Sequence, residues 1–349
     1  MQIQPLKNAH FTLLTILLQT TANAIISYNP NELLLKYRRY YKLTIVCALP
    51  FIRKNSIGNL RMFHKSTLPI SMHDGVHLNV KDAKKLGESL SGEYCFAEPF
   101  PHIVIDDFLP KDFIDKIVSN YPTEKLDGDV VFEIGYAGLH KRQVAPENCN
   151  GFTREVFGFF NSTSVVQFLE SLTTIPSLIP DPHFVGGGFH ETSAGGKLGI
   201  HADFRINESL HLNRRINMII YLNKEWQDEW GGKLELWDKN MTGVAHSVAP
   251  VYNRCVIFNT DADSFHGHPD PLLTPENKTR RSLALYYYTA SKRIYEDTAS
   301  HDTMYKARPT DDAETRKLVR SSTLDNHLKD VIPPFLYRVY RKIKDRLVR

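Results

Sequence analysis

The chain has 349 residues, 42% of them hydrophobic and 23% charged, which is the profile of an ordinary globular protein and excludes a collagen-like or wholly disordered one. Its four cysteines (Cys47, Cys95, Cys149, Cys255) are scattered with no CxxC pair, which argues against a disulfide framework or a Cys-rich zinc module, and no apolar run reaches the roughly 18 residues of a membrane-spanning helix. The formal charge of +4 is uneven: residues 1–71 and 331–349 are strongly basic and 72–330 are net acidic, so no nucleic-acid partner is expected for the middle.

Residues 1–71 read as a basic N-terminal extension. Phe11–Leu18 is a short apolar run, and Ala22-Asn23-Ala24 after it is a small-x-small pattern. That is compatible with a signal peptide cut near Ala24, and the scarcity of acids also permits a mitochondrial presequence. The plain alternatives are a non-functional extension or true initiation at Met62 or Met72. The expected location is cytoplasmic, or secreted or organellar if residues 1–24 address the chain elsewhere.

Residues 72–310 are expected to form the functional domain, with folded texture from about Tyr94. Residues 101–108 read as a short strand leaving a turn. Pro110-Lys111-Asp112 then opens an amphipathic helix to about Asn120. Residues 152–172 look helical, with apolar spacing at Val156, Phe160, Val165 and Phe168. From 183 to 290 short β runs alternate with turn residues: His183–His190, Ile216–Leu222, Lys233–Trp237, His246–Ala249, Arg254–Asn259 and Ser282–Thr289. Gly186–Gly188, Gly195-Gly196, Gly231-Gly232 and Pro269 punctuate them. Such regular short strands suggest a β-sandwich or barrel. Residues 311–349 read as a helical basic tail in which Phe335–Arg349 is amphipathic, packed on the domain or touching an anionic membrane or partner.

Seven of the fifteen histidines lie between 183 and 268. His201-Ala202-Asp203 is the sharpest pair, because residues i and i+2 of a strand share a face and could meet one ion. The other HxD, His268-Pro269-Asp270, has a proline at its centre and is set aside. His266 follows the apolar strand Arg254–Asn259. Arg280-Arg281-Ser282 comes fourteen residues later and opens the last strand. Two His and one Asp make the facial triad of non-haem Fe(II) oxygenases, which leaves positions open for co-substrate and O2. Arg280 and Ser282 share one side of their strand and offer a guanidinium fork and a hydroxyl to a carboxylate.

The order HxD, YLN, GG, P, F, H, RxS is carried by His201–Asp203, Tyr221–Trp226, Gly231–Leu236, Pro250, Phe258, His266 and Arg280–Ser282. It resembles the Fe(II)/2-oxoglutarate-dependent dioxygenases, in particular their prolyl 4-hydroxylase-like branch, over about 94–290 and most densely over 185–290. The resemblance implies a mainly β fold with supporting helices (α+β) around a double-stranded β-helix, or jelly-roll, core over about 183–290. It implies His201, Asp203 and His266 as iron ligands, with Arg280 for the distal carboxylate of 2-oxoglutarate and Ser282 and Tyr221 assisting. The implied cofactors are Fe(II), 2-oxoglutarate and O2, with ascorbate as reductant. The implied reaction hydroxylates an unactivated C–H of a prolyl, peptidyl or small amino-acid-like substrate, releasing succinate and CO2; the partner is then a small molecule, peptide or protein.

Several residues keep two readings at the sequence level. His268 could ligate in place of His266, and Arg281 could stand in for Arg280. Tyr221 could be plain core. His190, Trp226, Trp230 and Trp237 fit either packing or a site wall, and Arg205 and Asn207 either a solvated loop or a substrate contact. Substrate contacts are expected from loops 133–150, 204–214 and 224–231. The rival functions are a non-catalytic jelly-roll binding module and a zinc hydrolase. The first predicts a broken triad, and the second wants a further base such as HExxH provides; the sequence shows neither.

Overall fold

In the computed structural model the described residues are 64–133, 138–290 and 303–320. Three short strands, β1 (His64–Lys65), β2 (Ile70–Ser71) and β3 (His77–Leu78), precede helix α1 (Val80–Cys95). Asn79 caps α1 by accepting from the Lys81 and Asp82 amides. Then come β4 (His102–Asp106), α2 (Lys111–Ser119), the hairpin strands β5 (Val130–Phe132) and β6 (Leu139–Gln143), α3 (Gly151–Phe160) and α4 (Thr163–Thr173). The β-rich half runs β7 (Ile179–Pro180), β8 (Gly188–Ala202), β9 (Ile206–Asn207), β10 (Leu212–Tyr221), β11 (Leu234–Trp237), β12 (Val244–Val248), β13 (Cys255–Asn259), β14 (His266–His268), β15 (Arg280–Ala290) and β16 (Met304–Tyr305).

The strands join in the order β1-β4-β13-β10-β15-β8-β14-β11-β12, a sheet that curls into two layers. Strand β8 makes the turn. Gly188–Thr192 pair with β15, whereas Leu198 and His201 pair with β14 on the other layer. The bend sits at Gly195-Gly196. Gly195 has φ +73°, and a Cβ on Gly196 would lie 2.4 Å from Thr192 Cγ2 and 2.8 Å from the Leu139 carbonyl oxygen. Only glycine fits both positions. The result is a double-stranded β-helix with helices on one face.

Alternation along β10 shows how the layers are filled. Ile216, Met218 and Ile220 face the helices and join the large core with Phe113, Phe160, Phe168 and Leu285. Asn217, Ile219 and Tyr221 face the interior between the layers. Both faces are covered, so the strand reads as an almost unbroken apolar run.

The expected strands are found with differences at their ends, except that His183–Gly187 is a loop and only Gly188–His190 of the expected His183–His190 strand is extended, as the start of β8. The stretch 152–172 is two helices, separated at Asn161 and Ser162, while Val156, Phe160, Val165 and Phe168 are all fully buried as their spacing predicts. The fold starts earlier than residue 72: His64 and Lys65 pair in parallel with Ile105 and Asp106, and Leu68 is buried in the core. Loop 133–150 contains a strand, β6. Among the described residues no helix is long and apolar enough to cross a membrane. Residues 1–63, with the targeting pattern, and Phe335–Arg349 lie outside the described residues.

Candidate metal centre

His201 is the next-to-last residue of β8 and His266 opens β14, and the antiparallel register sets them directly opposite each other. Asp203, two residues past His201, lies on the same side. One ligand atom from each of the three falls within 4.8 Å of the others, all within the curled sheet. His201 Nε2 is 3.8 Å from Asp203 Oδ1, and His266 Nε2 is 3.5 Å from Asp203 Oδ2.

The tautomers follow from the backbone. His201 Nδ1 lies 2.8 Å from the Gly199 carbonyl oxygen and His266 Nδ1 lies 2.9 Å from that of Ser264. A carbonyl only accepts, so each Nδ1 carries the proton and each Nε2 turns a lone pair toward Asp203. Burial holds both rings neutral, pushing His201 down to about 3 and lowering His266 as well. Burial acts to raise the Asp203 carboxyl, but the Arg214 charge first, then the two facing imidazoles and a hydrogen bond from Asn217, outweigh it and bring the group down to about 2. Two neutral imidazoles and one carboxylate are the donor set that a divalent first-row ion takes, so the residues fit Fe(II).

Arg280, at the start of β15, ends in the same cavity. Its Nε donates to the Gly232 carbonyl oxygen at 2.8 Å and its Nη2 to the Tyr221 hydroxyl at 3.2 Å. Gly232 has φ +67°, and a Cβ there would stand 2.4 Å from Leu272 Cδ2 and 3.1 Å from Arg280 Cδ. The second glycine of the pair therefore lets the backbone approach the guanidinium. Ser282 lines the cavity from the next inward position of β15. Arg281 points outward, to Thr279 and Glu191.

Residues 187–288 match the family model described as the 2OG-Fe(II) oxygenase superfamily. This stretch carries a 2OG-Fe(II) oxygenase domain. It contains His201, Asp203, Tyr221, His266, Arg280 and Ser282. Among solved structures, a prolyl-4-hydroxylase from Pseudomonas putida is 17% identical with TM-score 0.41, covering 58% of this chain and 98% of its own. A prolyl hydroxylase from Trichoplax adhaerens, solved with a hypoxia inducible factor peptide fragment, is 15% identical with TM-score 0.41, covering 60% and 91%. HygX from Streptomyces hygroscopicus, with nickel and 2-oxoglutarate bound, is 10% identical with TM-score 0.39, covering 58% and 92%. No curated protein matches the chain by sequence.

Several residues of the oxygenase domain escape sequence reasoning. Arg214 Nη2 lies 3.2 Å from Asp203 Oδ2, and Asn217 Nδ2 donates to the same oxygen at 2.7 Å. Arg214 in turn donates to Asn217 Oδ1, and its guanidinium stacks 3.5 Å from the Tyr286 ring centroid. In a regular strand, residues three apart face opposite ways. The register shift between Arg214 and Ile216 brings these two to the same side. Asn223, last of the YLN triplet, fastens the end of β10 to β15: its Nδ2 donates to the Arg281 carbonyl oxygen and its Oδ1 accepts from the Arg281 amide. Tyr305 on β16 packs against the His201 ring, with centroids 5.4 Å apart.

The remaining candidates separate cleanly. His268 lines the cavity but stands outside the three-residue cluster, and its Nδ1 has no hydrogen-bond partner. His190 also lines the cavity, with the Gly186 backbone as its polar neighbour. Trp237 is packed with Ile200, Ala202 and Phe265, and Trp226 and Trp230 pack on each other at 5.3 Å. The three tryptophans, Arg205 and Asn207 are not among the residues that line the cavity.

Proposed function

We propose that the protein is an Fe(II)- and 2-oxoglutarate-dependent dioxygenase that hydroxylates an unactivated C–H bond of a prolyl, peptidyl or small amino-acid-like substrate, with release of succinate and CO2. The observation that carries this reading is the convergence of the His201, Asp203 and His266 donor atoms beside a buried, preorganised arginine, Arg280. His201, Asp203 and His266 would hold Fe(II) and leave three coordination positions free. Bound Fe(II) supplies the oxidative decarboxylation of 2-oxoglutarate by O2, coupled to oxygen insertion into a C–H bond. Ascorbate is proposed as the reductant that keeps the iron ferrous.

The chain's own residues do the positioning. Arg280 takes the distal carboxylate of 2-oxoglutarate, with the Tyr221 hydroxyl and Ser282 beside it. Arg214 and Asn217 hold Asp203 ionised and oriented. Leu198, Ile219 and Leu234 supply apolar wall that limits water in the cavity. We place the catalytic domain over about 72–310 with the 64–71 segment added. The chain's location is proposed as cytoplasmic.

The test is succinate formation from 2-oxoglutarate by the purified full chain. It should require Fe(II), and His201→Ala should abolish it together with iron binding measured directly. Tight zinc binding without turnover, or turnover that survives His201→Ala, would overturn the proposal.

A further inference from the structure

The inward face of β6, β8 and β15 is a small grid. Lys141 pairs with Thr192 and Thr192 with Arg280, which makes one row across three strands. Gln143, His190 and Ser282 form the next row. All six residues line the cavity. Its two outer cations therefore sit two strands apart, about 10 Å between backbones. Each has a partner of its own. Arg280 reaches toward Tyr221 on β10 and the carbonyl of Gly232. Lys141 places its Nζ 5.3 Å from the centre of the Phe132 ring on β5.

Among the described residues no carboxylate is paired with Lys141. Arg142, which points to the opposite face, takes both nearby acids, Asp129 at 2.6 Å and Glu191 at 3.0 Å. Asp203 is the one acid lining the cavity among the described residues, and Arg214 and Asn217 already engage it. The lysine side chain is partly exposed along its length, but burial at its ammonium pushes it down to about 8. Beside it His190 lines the same cavity, with the Gly186 backbone as its polar neighbour. A half-buried cation that lines a cavity with no carboxylate paired to it among the described residues marks a place for an anionic group. Among the described residues Lys141, Arg214 and Arg280 face a single acid there, so the cavity favours a negative guest.

On the reading of the site as a 2-oxoglutarate oxygenase, we propose that Lys141 binds a carboxylate of the substrate. The substrate class is then a molecule with a free carboxylate near the reacting C–H, a free amino acid or a C-terminal or acidic residue, in place of the neutral interior of a peptide. Arg280 serves 2-oxoglutarate at one end of the cavity and Lys141 serves the substrate at the other.

The test uses the full chain loaded with Mn(II), titrated calorimetrically with 2-oxoglutarate and then with N-acetyl L-amino acids, proline included, and their neutral amides. At least one acid should bind about tenfold tighter than its amide, the scale of one charge-assisted hydrogen bond. Lys141→Met should remove that preference and Lys141→Arg should keep most of it, with the 2-oxoglutarate Kd changed less than about twofold, since a separate cation holds it. Equal binding of acids and amides, no binding of any acid, or equal loss of 2-oxoglutarate and acid in Lys141→Met would overturn the assignment. If the unmutated protein fails to take up 2-oxoglutarate, the oxygenase reading falls with it. If 2-oxoglutarate binds and the acid preference is missing, only the role of Lys141 falls.

Discussion

The Arg280 guanidinium is fixed by Gly232 and Tyr221 before any ligand arrives, so little side-chain entropy remains to be lost on binding. Burial lowers its pKa from the usual arginine value, and the Tyr221 hydroxyl partly offsets that effect. A carboxylate completes the arrangement. Arg280→Ala should therefore raise the KM for 2-oxoglutarate by about a hundredfold, the scale of a buried charged hydrogen-bond pair, while iron affinity changes far less. Steady-state kinetics against 2-oxoglutarate, alongside direct iron titration, check this. A parallel fall in both would make Arg280 a structural residue of the β15 edge.

At the scale of elements, helix α1 is held against α4 by the absence of a side chain. A Cβ on Gly87 would stand 2.5 Å from the Phe168 carbonyl oxygen and 2.9 Å from the Leu172 nitrogen. Alanine gains about 1 kcal/mol over glycine in a free helix, but overpacking two helix backbones costs about 1–3 kcal/mol. Gly87→Ala should lower the urea midpoint and leave succinate formation per folded molecule intact, because α1 packs on the side of the sheet away from the cavity. A midpoint that holds or rises would show that the two helices do not meet at this glycine. The same helix shows why parts of the fold are hard to read from sequence. Its buried positions are Ala83, Gly87, Leu90, Ser91 and Tyr94, too small and polar to give a clear apolar stripe. The strands from 183 to 290 were legible because β-branched and aromatic runs alternate with turns. The triad and Arg280 were legible because i and i+2 share a face. Gly195-Gly196 looked like a turn between strands and is a bend inside one. Arg214 and Asn217 were hidden by a bulge that breaks the two-residue period, and Lys141 by a strand that sits in an otherwise polar stretch.

The whole molecule gathers four imidazoles, His190, His201, His266 and His268, around one cavity that also holds the cations Lys141, Arg214 and Arg280. Burial lowers all four histidines from their ordinary value, with nearby positive charge adding to the effect. In the unfolded chain they titrate near 6.5. Below that pH the unfolded chain binds protons that the folded chain refuses, so stability rises with pH through this window and is lost on acidification. Each ring contributes a slope of up to about 1.4 kcal/mol per pH unit, beginning near 6.5 and running down toward the folded-state values, about 3 for His201. Chelator-treated protein should accordingly show a clearly lower urea midpoint at pH 5.5 than at pH 7.5. The ammonium of Lys141 acts at the other end of the scale. Its folded value of about 8 lies below the ordinary lysine value, so stability should rise again between about pH 8 and pH 10. Lys141→Met should remove that alkaline gain and leave the acidic loss in place. A midpoint flat between pH 5.5 and 7.5 would mean that the four imidazoles are open to solvent and not buried as the fold places them.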